Sequence, residues 1–199
     1  DKQSLVSIDF NTGLIHRYHT DHCAYTSSGA SHNYYFASTT GENSFISIYT
    51  PELEEVEYLK LEKAMLFSDF ITSSDKVYTI GAEVEATEVE NGKNYFKNIL
   101  ISISKNDGDF SIGTIKELEV NKEKQYFFND VITKGNYLYA VSAGWRDLDS
   151  LEKIYAGAIY RYDLVNEKSE FYTIEEIFPS DIYDIGDDFL AISHESITI

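Results

Sequence analysis

The sequence predicts an all-β chain assembled from repeated four-stranded antiparallel units. Three observations carry this prediction. Aromatic residues make up 15% of the 199 residues, with 16 Tyr and 12 Phe, side chains that fit half-buried pleated surfaces better than helices. Apolar residues reach 43%, enough for a sizeable core. One strand-turn-strand element also recurs in register along the chain.

The elements follow in order. Leu5-Val6-Ser7-Ile8-Asp9-Phe10 reads as a strand that ends in the turn Asn11-Thr12-Gly13 and leads to a second strand. Tyr25 to Tyr34-Tyr35-Phe36-Ala37 is a weak copy of the recurring hairpin, with Thr26 at the position its other copies give to aspartate. Those copies are Phe67-Ser68-Asp69-Phe70-Ile71 leading to Val77–Ile80, Phe128-Asn129-Asp130-Val131-Ile132 leading to Leu138–Val141, and Pro179-Ser180-Asp181-Ile182-Tyr183 leading to Phe189–Ile192. Their reversals fall at Ser73-Ser74-Asp75-Lys76, Lys134-Gly135-Asn136 and Gly186-Asp187-Asp188, residue types that make tight turns.

A second hairpin type alternates with the first. It starts at Leu5, Phe45, Ile99 and Ala158, and each strand is followed by a turn and a partner strand. One hairpin of each type makes a four-stranded unit, the outline of a β-propeller blade, and the spacing of the aspartates somewhat exceeds the roughly 40 to 50 residues of a blade. Residues 1–20 are then the third and fourth strands of one blade, and 21–62, 63–122 and 123–176 are full blades. Residues 177–199 supply first and second strands and, at Ser196-Ile197-Thr198-Ile199, the start of another third strand. That last segment duplicates the role of residues 5–10, so the expectation is an excerpt of a larger propeller, with a closed four-bladed ring as the alternative. The best helical candidate, Leu148 to Tyr155, is short.

Composition narrows the partners. Thirty-four acidic against sixteen basic residues give a formal charge of −18, which repels phosphate backbones and anionic lipid, so nucleic acid is not an expected partner. The plainest account of the surplus is a solvated acidic surface. No stretch approaches the roughly 18 to 20 apolar residues of a membrane-spanning helix, and no membrane insertion is expected of a chain that reads as soluble. Cys23 is the only cysteine, which excludes an internal disulfide. A start at Asp1 without a signal peptide fits a processed protein or an excerpt.

The segment Ser7-Ile8-Asp9-Phe10-Asn11-Thr12-Gly13 resembles the strand-and-turn piece of quinoprotein-like and surface-layer-like propeller repeats, and Tyr162-Asp163-Leu164 echoes it loosely. The resemblance implies a propeller and an extracytoplasmic or cell-surface setting. It supplies no cofactor and no catalytic residue, since the kelch double glycine, the Trp-Asp ending and the tryptophan-docking pattern are all missing.

Three features carry candidate chemistry. Asp69, Asp130 and Asp181 occupy equivalent first-strand positions, and convergent carboxylates are calcium ligands. The favoured reading is that each hydrogen-bonds the backbone of its own unit. The run His16-Arg17-Tyr18-His19-Thr20-Asp21-His22-Cys23 gathers zinc-ligand types; His16 and His19 point to opposite faces of a strand unless the chain turns between them, whereas His19 and His22, with Cys23, can meet across a turn. An ordinary polar loop is the favoured account there. Finally, the second-to-third connections are long. Asn91-Gly92 signals a projecting hairpin that carries Tyr95 on its return strand, with Glu83-Val84-Glu85 and Glu88-Val89-Glu90 giving it an acidic and an apolar face. Ala143 to Gly157 holds Trp145-Arg146-Asp147, and Trp and Arg are enriched at binding hot spots.

There is no Gly-rich phosphate loop, nucleophile elbow or Cys-x-x-Cys pair. The expected function is a non-enzymatic binding module that engages a protein or carbohydrate without a cofactor. Its alternatives are a propeller hydrolase or lyase holding calcium or zinc at the channel mouth, and a structural segment of a large envelope protein.

Overall fold

The computed structural model describes residues 4–19, 25–31, 33–39, 44–85, 95–118, 126–142, 145–146, 153–155, 157–174 and 179–193. Every regular element among them is a strand and all pairings are antiparallel. The first hairpin joins β1 (Ser4–Ile8) to β2 (Ile15–His19). A four-stranded sheet follows in chain order: β3 (Tyr25–Ser31), β4 (Tyr34–Thr39), β5 (Phe45–Tyr49) and β6 (Glu55–Lys60). In the next sheet the first strand is split into β7 (Met65–Phe67) and β8 (Ile71–Ser73). Both pair with β9 (Lys76–Glu85), which is followed by β10 (Tyr95–Asn106) and β11 (Asp109–Glu117).

The third sheet runs β12 (Phe128–Lys134), β13 (Tyr137–Ser142), β16 (Gly157–Asp163), β17 (Ser169–Ile174), and the connection inside it carries the small pair β14 (Trp145–Arg146) and β15 (Lys153–Tyr155). The last hairpin is β18 (Pro179–Asp184) with β19 (Phe189–Ser193). Where the sequence offered a short helix, Lys153–Tyr155 is a strand paired with β14, and the rest of the candidate lies outside the described residues. β1 pairs only β2 and β19 only β18, so no closed ring forms among the described residues.

Two local devices make the units alike. The first-to-second turns place Asn33 (φ 64°), Ser74 (φ 56°) and Gly135 (φ 59°) in the left-handed region, which gives tight hairpins the twist of their strands. Each first strand is also irregular near its start. A bulge skips Asn129 between the pairs Phe128↔Ser142 and Asp130↔Val141, another skips Ser180 between Pro179↔Ser193 and Asp181↔Ile192, and a third skips Thr26 between Tyr25↔Thr39 and Ser27↔Ser38. The equivalent of Asp130 in the weak copy is therefore Ser27. Placing Thr26 there is off by one, because the pairing sets Tyr35, not Tyr34, at the position of Leu138 in the second strand.

The sheets stack face to face. Alternation along β10 sends Ile99, Ile101 and Ile103 to a core shared with Phe36, Ile46 and Ile48, while Leu100 joins Phe128, Leu138, Tyr160 and Tyr162 in a second core. Ala37, Tyr49 and Leu53 close a smaller one against Leu5, Tyr18 and Tyr35. Residues at equivalent or adjacent positions of neighbouring first strands meet: the Thr133 hydroxyl donates to the Thr72 carbonyl at 2.9 Å, and Asp130 accepts the N–H of Ile182, the residue after its own equivalent Asp181. The sheets therefore share one orientation. Gly29 of β3 lies so close to Phe70 that a Cβ would come within 2.6 Å of the Phe70 Cβ and carbonyl oxygen.

Candidate functional site

Because the sheets share an orientation, the start of every first strand and the exit of every second strand lie at one end of the stack. The pairs Phe128↔Ser142 and Phe67↔Gly81 define that end. Asp69, Asp130 and Asp181 sit just inside it, and both long second-to-third connections leave from it.

Asp130 is the best-defined of the three. Its Oδ1 accepts the Val131 N–H at 2.8 Å and its Oδ2 accepts the Ile182 N–H at 2.8 Å, so one side chain fixes the bulge of its own strand and clamps β18 to β12. Burial pushes the Asp130 carboxyl up from its ordinary value; the two N–H donors oppose the rise, and repulsion from Asp69 and Asp181 adds to it. The structure thus brings the three predicted aspartates into one electrostatic neighbourhood. Asp69 is exposed, Asp181 is half-buried, and both take part in interactions of their own. Among the described residues no three His, Cys, Asp or Glu side chains gather closely enough to hold a metal ion.

At the same end β9 and β10 extend as a ribbon whose register reaches Glu85↔Tyr95. Asn91 lies outside the described residues, and Tyr95 is placed at the first position of β10. The ribbon is not simply acidic on one face. Glu83 is 4% exposed and its carboxylate pairs with the Lys63 ammonium, an ion pair that the alternation of Glu and Val does not reveal. In the neighbouring sheet Trp145 and Arg146 form β14 opposite Tyr155 and Lys153, while Asp147 lies outside the described residues. His19 closes β2 opposite Ser4, and His22 and Cys23 lie outside the described residues.

A feature that sequence reasoning missed is a cavity of about 450 Å³ beside β1, lined by Leu5, Ile8 and Phe10 on one side and Gly29, Tyr35 and Phe36 on the other. The signal was present in the alternation of β1, which puts Leu5 and Ser7 toward the next sheet and leaves Val6 and Ile8 about half exposed.

No protein-family model and no curated protein matches the chain. Among solved structures it is similar to an ACO/RPE65 chimera (12% identity, TM-score 0.46, covering 90% of this chain and 41% of the chimera). It is also similar to a Synechocystis apocarotenoid oxygenase (ACO) mutant (12% identity, TM-score 0.44, 91% and 40%) and to cobalt-substituted Synechocystis ACO (10% identity, TM-score 0.42, 90% and 40%). The chain spans about two fifths of the length of these structures. The resemblance to quinoprotein-like and surface-layer-like repeats is corrected by this result, since the neighbours carry neither name and the sheets form no closed propeller among the described residues. The Asp-x-x-Thr-Gly turn behind that resemblance is a local device. Asp9 bonds the N–H of Asn11 and the hydroxyl of Thr12, and Asp163 bonds Val165 and Asn166 in the same way.

Proposed function

We propose that the chain is a non-enzymatic binding module that engages a protein or carbohydrate through the end of the stack bearing the β9–β10 ribbon and the β14–β15 pair. One observation carries the reading: two neighbouring sheets, oriented alike, both lengthen the same connection and add strand there, β9–β10 in one and β14–β15 in the other. Extended pieces held on a rigid scaffold are a common way to present a recognition surface. Trp145 and Arg146 sit on one of these pieces, and an indole and a guanidinium suit both sugar rings and protein surfaces. In this reading the four-stranded sheets serve as blades of a stack whose inner edge, with Asp130, keeps the two projections in register.

Glycan-array and peptide-display screening of the whole chain identifies a ligand in the first step. Trp145→Ala and Arg146→Ala are then each expected to weaken its binding by about tenfold or more, the scale of a hot-spot loss, with unchanged melting temperature. Unchanged affinity in both variants removes the assignment.

A further inference from the structure

The outer edge of β6 lies within the stack, in a sheet that has β1–β2 packed on one face and β7–β11 on the other. Among the described residues β6 pairs only β5. The phase of that pairing follows from one bond, which the Leu61 N–H donates to the Ser44 carbonyl at 2.9 Å. Hydrogen-bonded and open pairs alternate in an antiparallel ladder, so Leu59 and Glu57 turn their backbone groups to β5 while Lys60 and Tyr58 turn theirs outward. The Tyr58 N–H bonds instead to the carboxylate of its own neighbour Glu57, at 3.3 Å. A bulge then skips Val56 between Ile48↔Glu57 and Tyr49↔Glu55.

The side chains along this edge are of one sign. Glu52, Glu54 and Glu55 are exposed and Glu57 is half-buried, and none of them enters an ion pair among the described residues. The other outer strands differ: Glu117 of β11 pairs with Lys97, Glu170 of β17 pairs with Arg161, and β2 carries His16 and Arg17. Beside the acids, Val56 and Tyr58 are 43% and 39% exposed, and the Tyr58 ring rests on Phe45 with centroids 4.6 Å apart. Such an edge repels a second copy, because two rows of carboxylates would face each other across the ladder, and it suits a strand of opposite sign.

We propose that β6 is a docking edge for an extended basic segment of a partner protein, which adds to the sheet β3–β6 as a further strand beside β6. Main-chain bonds to Tyr58 and Lys60 hold the guest, and the alternation of its side chains sets a lysine or arginine against Glu57 and an apolar side chain against Tyr58. Cross-strand pairs of both kinds, opposite charges and an aromatic with a β-branched residue, favour the ladder. The bulge at Val56 ends the run of regular pairing, so the guest strand is short, and the exposed glutamates beyond it attract a basic continuation. This edge is separate from Trp145 and Arg146, which belong to the sheet β12–β17 with β7–β11 in between.

The probe is a short peptide of alternating lysine and valine, added to the full chain. Two peptides serve as controls: one with glutamate in place of lysine, and one N-methylated along its backbone, which keeps the charge but has no N–H to give a ladder. Amide hydrogen exchange, read residue by residue by NMR, is expected to slow by about tenfold or more at Tyr58 and Lys60 with the lysine–valine peptide and to be unchanged by either control. Glu57→Lys is expected to reduce the association constant by about tenfold or more with an unchanged thermal melt, and added salt to weaken wild-type binding. Trp145→Ala is expected to leave the peptide's affinity as it was. No binding at millimolar peptide, or binding without protection at Tyr58 and Lys60, overturns the proposal. So does equal protection by the N-methylated peptide, which would mean attraction of charge without strand pairing, and so does loss of binding in Trp145→Ala, which would put the peptide on the other surface.

Discussion

Asp130 shows how one residue can serve the scaffold and carry a cost. Its two oxygens satisfy two backbone donors in different strands, yet its charge is half-buried and faces two other carboxylates. Replacement by Ala leaves both N–H groups without their acceptor and is expected to destabilise the chain by about 1–3 kcal/mol in urea unfolding. Asn keeps one acceptor and relieves the repulsion, so it should cost less. The sign of the pH effect follows from the raised carboxyl. The folded protein holds this proton where the unfolded chain has released it, so the group's contribution is greatest in acid and is lost as pH rises from the ordinary carboxylate range through the raised value. Asp9, Asp163 and Asp184 run the other way. Their carboxyls are lowered, first by hydrogen bonds from Thr12, Asn166 and Lys134 respectively, and their stabilisation is lost as pH falls through the lowered values. The pH profiles of wild type and Asp130→Asn, measured side by side, should therefore differ only on the side where Asp130 titrates; identical profiles would show that its charge has no bearing on stability.

At the scale of elements, the strands and their reversals were legible because alternation and turn chemistry are local. Val77–Ile80 and Leu138–Val141 fall within β9 and β13, and Ser74 and Gly135 take the left-handed backbone their turns require. What was not legible depends on partners. That Tyr35 rather than Tyr34 stands where Leu138 does, which puts Ser27 at the aspartate position, shows only in pairing, and the burial of Glu83 needs Lys63 from another segment. The three aspartates could be named from their repeat positions, but their mutual repulsion and the bond from Asp130 to β18 come from stacking. Gly29 belongs to the same class. In the sequence it is a glycine among serines; in the fold it is where β3 touches the backbone at Phe70. Gly29→Ala must push that backbone aside and is expected to lower stability by about 1–3 kcal/mol, the range for overpacking a tight contact. A melting temperature equal to wild type would mean that the two sheets separate easily at this point.

For the molecule as a whole, the surplus of acid is the largest departure from an ordinary composition. Short-range pairs are present, such as Lys97–Glu117 at 3.1 Å, Lys134–Asp184 at 3.0 Å and Arg161–Glu170 at 2.5 Å, but the last turns and edge strands remain acidic. Such a chain repels itself, and screening is expected to raise its melting temperature monotonically when sodium chloride is increased from about 0.05 M to about 0.5 M, over which the Debye length falls from above to well below 10 Å. A fall over that range would show that these ion pairs outweigh the repulsion. No helix of the described residues is long and apolar enough to cross a membrane.

The recurrence of one bulged hairpin at the same place in successive sheets has a bearing on how such a chain changes over generations. Neighbouring sheets meet through their first strands, and three of those strands carry the bulge at the same place. A gene encoding it could gain or lose a whole sheet by unequal crossing-over at matching points and still present familiar edges to what lies on either side. Single insertions within a first strand have no such freedom, because one added residue would shift the bulge and turn every later side chain to the opposite face. Length variation in a lineage of such chains would then come in steps of one sheet, or in the outer connections where Trp145 and Tyr95 sit, and rarely in between.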